Sequence, residues 1–74
     1  MKYLCYKREH STKPWELVQE LDDLGKACRW IMRVCRDLGH STSRIRDGDP
    51  KRPIEPCYFF RAPGGEEWKV EECK

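Results

Sequence analysis

The stretch Asp22-Asp23-Leu24-Gly25-Lys26-Ala27-Cys28-Arg29-Trp30-Ile31-Met32-Arg33-Val34-Cys35-Arg36-Asp37-Leu38-Gly39 decides the fold. Leu24, Ala27, Cys28, Ile31, Val34, Cys35 and Leu38 recur at intervals of three and four, which sets them on one stripe of an α-helix. The spacing predicts a helix over residues 23–38. Asp22 is suited to cap its start, and Asp23 in the first turn complements the positive end of the helix dipole. Gly39 is the expected stop, followed by polar His40, Ser41 and Thr42. A helix with one apolar stripe needs a flat surface to cover it, and the flanking sequence supplies strands.

Working outward, residues 2–8 carry the strand formers Tyr3, Leu4, Cys5 and Tyr6, with Leu4 and Tyr6 sharing a face. His10 to Pro14 reads as a turn. Residues 15–21 admit two readings: a strand with an imperfect period of two, or the start of a longer helix running to Leu38. The strand is favoured because Asp22 marks a new helix start and Gly25 in a helix interior would cost about 1 kcal/mol. Beyond the helix, residues 43–47 predict a short third strand around Ile45, and Asp47 to Pro53 a turn-rich, exposed loop. Cys57-Tyr58-Phe59-Phe60-Arg61 and Trp68-Lys69-Val70-Glu71 then form a hairpin. Pro63 fixes the first corner of its turn and Gly64 supplies a positive φ at the next. The order β-β-α-β-β-β predicts a small α+β domain spanning 1–74, an antiparallel β-sheet with one α-helix packed across one face.

The chain has 74 residues, of which 38% are hydrophobic and 38% charged, with a mean hydropathy of −0.93. Domains below ~80 residues supply only a few kcal/mol of core stability, which leaves little material for a deep substrate pocket. No apolar run approaches the ~20 residues of a membrane span, and MKYLCYKREH lacks a signal-peptide core. The expectation is a soluble, cytoplasmic, monomeric protein that is not an enzyme. The five cysteines are odd in number and lack close pairs, which favours buried free thiols over a disulfide framework; one bridge between strand cysteines stays open.

Motifs for catalysis or cofactors are missing from the sequence. His10 and His40 fall in expected loops without the local signature of a Cys–His nucleophile. No C-x₂₋₄-C or H-x₃₋₅-H pair announces zinc, and Cys28 and Cys35 lie two helical turns apart. A site built from Cys5, Cys57 and Cys73 needs their strands to be neighbours, and core thiols are the simpler reading. Gly64-Gly65 lacks phosphate-loop spacing and joins two strands. Neither a metal nor a cofactor is expected.

Charge distribution carries more. The net charge is +2, from 15 Lys+Arg against 13 Asp+Glu. Lys26, Arg29, Arg33 and Arg36 form a stripe opposite the apolar one, bordered by Trp30 and Asp37 and continued by Arg44, Arg46, Lys51 and Arg52. Acidic residues collect elsewhere, as Glu16, Glu20, Asp22 and Asp23 and again as Glu66, Glu67, Glu71 and Glu72. Exposed helix faces are commonly charged for solubility alone. A solvating helix, however, gains from i,i+4 pairs of opposite sign, and this stripe has no Glu among its four cations. Both charged regions are therefore candidate partner-binding surfaces. The basic one suits phosphates or an acidic protein, and the acidic one a cationic nucleic-acid channel. The aromatics Trp15, Trp30, Tyr58, Phe59, Phe60 and Trp68 could line an open sheet face for single strands, although so small a domain needs most of them for its core.

The start MKYLCYKRE, the strand leading into LDDLGKACRWIMRVC, and the strands RIRDGD and EEWKV resemble, in layout and character, small phage-encoded anti-CRISPR proteins of the β-β-α-β-β type directed at type I systems. The resemblance implies a non-enzymatic inhibitor that binds a host protein complex, such as a Cas subunit, through a charged face and blocks its access to nucleic acid. Members of that class use faces of either sign. The alternative is a small regulator that binds nucleic acid directly through the basic helix face.

Overall fold

The computed structural model describes residues 2–46 and 58–73. Strand β1 (Lys2–Arg8) and strand β2 (Glu16–Leu21) precede helix α1 (Leu24–Asp37), a 3₁₀ turn η1 (Thr42–Arg44), strand β3 (Tyr58–Arg61) and strand β4 (Glu67–Cys73). The strands form one 4-stranded antiparallel sheet in the order β2-β1-β4-β3. The α+β class is as the sequence predicts. One element differs: of the third strand expected over residues 43–47, residues 43–46 are described and do not make one. Thr42 to Arg44 wind into η1, and only Arg46 pairs with Phe59 as an isolated bridge. The side chain of Ser41 starts that turn by accepting from the Ser43 N–H at 3.3 Å. The loop expected from Asp47 onward, with Lys51, Arg52 and Cys57, lies outside the described residues.

Residues 16–21 are a strand, and the imperfection of their alternation has a cause. Cys5 opposes Gln19 and Tyr6 opposes Leu17, so Val18 is the extra residue of a β-bulge. The helix starts one residue later than the sequence suggests. Asp23, not Asp22, is the cap, its carboxylate accepting from the Lys26 N–H at 3.1 Å. Asp22 instead pairs with the Lys26 ammonium at 3.2 Å. Gly39 ends the helix at φ 78°. Its N–H donates to the Arg36 carbonyl at 2.8 Å, and the His40 N–H donates to the Cys35 carbonyl at 3.1 Å, the two bonds of a Schellman motif.

The helix covers one sheet face. Ala27, Ile31 and Cys35 meet Cys5 of β1, Phe60 of β3, and Trp68 and Val70 of β4, with Ala62 beside them. Phe60 stacks on Trp68, ring centroids 5.6 Å apart. Leu24 and Leu38, at the ends of the stripe, overhang into solvent. In the β3–β4 hairpin the positive φ falls on Gly65 rather than Gly64. Gly65 donates to the Ala62 carbonyl at 2.9 Å, and Ala62 to the Glu66 carbonyl at 2.8 Å. The turn around Pro63 and Gly64 thus needs no left-handed corner, and Gly65 absorbs the strand twist just after it.

Replacing Asp23 with Ala removes the cap from an exposed helix end, and we expect a loss of about 1 kcal/mol in urea unfolding.

Candidate functional site

The inner strands carry a second packed layer, of charged and aromatic side chains. On the face away from α1, register brings Arg8 of β1 and Arg61 of β3 to either side of Glu67 on β4. Arg8 Nε donates to Glu67 Oε1 at 2.6 Å; Arg61 Nε and Nη2 donate to Oε2 at 2.7 and 2.6 Å. Glu67 is 0% exposed. Two residues along, Lys69 is buried beside Tyr6 and Phe59 and pairs with Glu71 at 2.5 Å. Trp15 lies against this layer, with Arg8 Cζ 4.0 Å and Lys69 Nζ 4.4 Å from its ring. Among the described residues no buried side-chain nitrogen or oxygen lacks a hydrogen-bond partner.

This layer changes the inventory of surface charge. Glu67 belongs to the interior and cannot serve as a docking residue, because its carboxylate balances two guanidinium groups. Glu71 is half-buried and engaged with Lys69, and Glu72 is half-buried opposite Tyr3. Glu66 stays exposed at the hairpin, and Glu16, Glu20, Asp22 and Asp23 stay exposed around β2 and the helix start. The Lys26 partner holds the Asp22 carboxyl below its ordinary range, by hydrogen bond and charge together. The exposed aromatic platform is not formed: Phe59, Phe60 and Trp68 are buried, and Trp15, Trp30 and Tyr58 are half-buried.

The basic residues fare differently. Arg29, Arg33 and Arg36 are exposed on α1, and Arg44 and Arg46 are exposed just beyond it. Among the described residues none of these five arginines forms an ion pair, whereas Lys26 is joined to Asp22. Arg36, at the end of α1, and Arg44, in η1, both lie close enough to Cys35 to favour its thiolate form. Arg36 also sits in the last helical turn, where the dipole favours a cation. Arg44 and Arg46 line a concavity of about 490 Å³ together with Ser43, Phe59, Arg61 and Gly65 among others. The sequence marked Arg44 and Arg46 but not Arg61, which reaches this cleft only through the β3–β4 register.

Cys5, Cys28, Cys35 and Cys73 are free thiols. Burial pushes Cys5 from its ordinary value of 9.0 up to about 11. Burial raises Cys35 as well, against the pull of Arg44 and Arg36, and its Sγ donates to the Ser41 carbonyl at 3.1 Å. Among the described residues no three His, Cys, Asp or Glu side chains gather to hold a metal ion, and no helix is long and apolar enough to cross a membrane. Compared with protein-family models, curated proteins and solved structures, the chain matches none.

Neighbouring glutamates should behave oppositely. Glu67→Ala leaves Arg8 and Arg61 uncompensated and should cost about 3 kcal/mol or more in chemical unfolding; Glu66→Ala, at an exposed position, should stay within about 0.5 kcal/mol of the parent. The Cys5 thiol gives a pH signature. Above 9.0 the unfolded chain loses this proton while the folded one keeps it until about 11, so folding weakens as pH rises through that window, by at most about 1.4 kcal/mol per unit. The stability difference between the parent and Cys5→Ala should shrink over the same range in urea titrations.

Proposed function

We propose that this domain works by binding rather than catalysis, and that its arginine band grips the phosphates of a nucleic-acid strand. The observation that carries this reading is the absence of ion pairs at Arg29, Arg33, Arg36, Arg44 and Arg46 among the described residues, five guanidinium groups free on the surface, whereas Arg8 and Arg61 are both held by Glu67. Exposed guanidinium groups present planar forks that match phosphate oxygens two at a time, and five along one band favour an extended polyanion. With the sheet aromatics buried, affinity would come from phosphates rather than base stacking, giving weak sequence preference and strong salt dependence.

The exposed acidic group Glu16, Glu20, Asp22 and Asp23 supports a second reading. There the domain is a phage or mobile-element inhibitor that presents carboxylates in place of phosphates to the cationic channel of a host complex, such as a Cas subunit. The two readings predict different losses. For direct binding, a labelled single-stranded oligonucleotide should bind with a log K against log salt slope near −0.7 per phosphate contacted. The triple variant Arg29→Ala/Arg33→Ala/Arg36→Ala should then weaken binding by at least about tenfold and flatten that slope by about 2. A parent protein with no salt-sensitive oligonucleotide binding, but with CRISPR interference blocked in a manner abolished by Glu16→Lys/Glu20→Lys, would instead establish the inhibitor.

A further inference from the structure

We propose that the arginine-lined cleft between η1 and the β3–β4 hairpin is a seat for a terminal phosphate, so that a bound strand is held by its end; this rests on the nucleic-acid reading above. The backbone explains why three arginines share the cleft. Ile45 is extended, at φ −74° and ψ 129°, and its side chain packs against the core. Alternation along extended chain then turns Arg46 to the opposite side, while Arg44, the last residue of η1, reaches the cleft from that turn. Arg46 and Phe59 exchange both backbone hydrogen bonds at 2.8 Å, so their side chains share the sheet face away from α1. Arg61, two residues from Phe59, stands on that face too, and all three arginines line the cavity.

The chemistry distinguishes this cleft from the convex helical stripe. Arg61 is fixed by its Nε hydrogen bond and its Nη2 ion pair to Glu67, which leave its Nη1 without a partner among the described residues and its side chain 49% exposed. It is a pre-oriented donor rather than a wandering one. Arg8 and Arg61 share the single carboxylate of Glu67, so this trio keeps a net positive charge beside Arg44 and Arg46. Ser43 adds a hydroxyl at the rim. A phosphodiester offers two free oxygens and one charge. A terminal monoester offers three oxygens and a charge of about −1.5 to −2, which answers three guanidinium groups around a concavity better. The cleft is bounded by the hairpin through Gly65 on one side and by Arg44 of η1 on the other.

The test compares one oligonucleotide sequence carrying a 5′-phosphate, a 3′-phosphate or hydroxyls at both ends, titrated into the whole chain at fixed salt. One of the phosphorylated ends should bind at least about tenfold tighter than the hydroxyl form. Arg44→Ala/Arg46→Ala should abolish that preference. Arg29→Ala/Arg33→Ala/Arg36→Ala should weaken all three oligonucleotides while preserving it. Equal affinity for all three in the parent overturns the terminal seat but leaves the nucleic-acid reading standing. A preference that survives the double variant also overturns the seat, and failure of every oligonucleotide to bind overturns both.

Discussion

One carboxylate holds the sheet in register. Glu67 lies in β4, one of the two inner strands, and takes a guanidinium from each neighbouring strand: Arg8 on β1 and Arg61 on β3. Removing water from a charge costs several kcal/mol, and only close, hydrogen-bonded countercharges offset it. The geometry that satisfies Glu67 also places Phe60 against Trp68 and Cys5 against Val70 on the other side, because a strand's two faces move together. A slip of one residue would expose the apolar pair and strand the carboxylate. The helix side stabilises by burying surface, and the far side makes the alternative registers expensive.

This arrangement shapes the surface as well as the interior. Glu67 and Glu71 are drawn inward to balance Arg8, Arg61 and Lys69, which withdraws them from any outer face. The acidic groups seen in the sequence are therefore not equivalent to one another. What remains outside is a band of arginines at one end and carboxylates around β2 at the other. The near-neutral total says little about either.

The sequence displayed the helix most clearly, because a three-four repeat is a local property that tertiary packing reinforces. The edge positions shifted by a residue, since Asp22 and Asp23 are both competent caps and only the backbone geometry selects Asp23. The alternation in β2 was blurred by the bulge at Val18. The strand expected around Ile45 reduced to a turn and one bridge, as Ser41 captures the Ser43 N–H and winds the chain before it can extend. Glu67 was unreadable as a buried residue, because its partners lie 59 and 6 positions away and depend on register. For the same reason Arg61 gave no sign of facing Arg44 and Arg46. The helical cations were legible as exposed, but their lack of partners was not.

The two charged regions do not have equal claims to function, and the sheet order shows why. β2 is an edge strand with an unpaired outer side, and it exposes Leu17 and Val18, each 49% accessible. Such an edge invites pairing with other chains, and charged residues along it are a common defence. Glu16 and Glu20 thus have a structural reason to be where they are, independent of any partner. Arg36 is favoured by the helix dipole, but no comparable reason covers the rest of the arginine band. Arg29, Arg33 and Arg36 flank no exposed strand edge, and their mutual repulsion along α1 costs helix stability that a mixed pattern of charges would recover. Arg44 and Arg46 add further positive charge beside them. Uncompensated like charge costs the fold stability, which is the physical ground for proposing the arginines rather than the carboxylates as the binding surface.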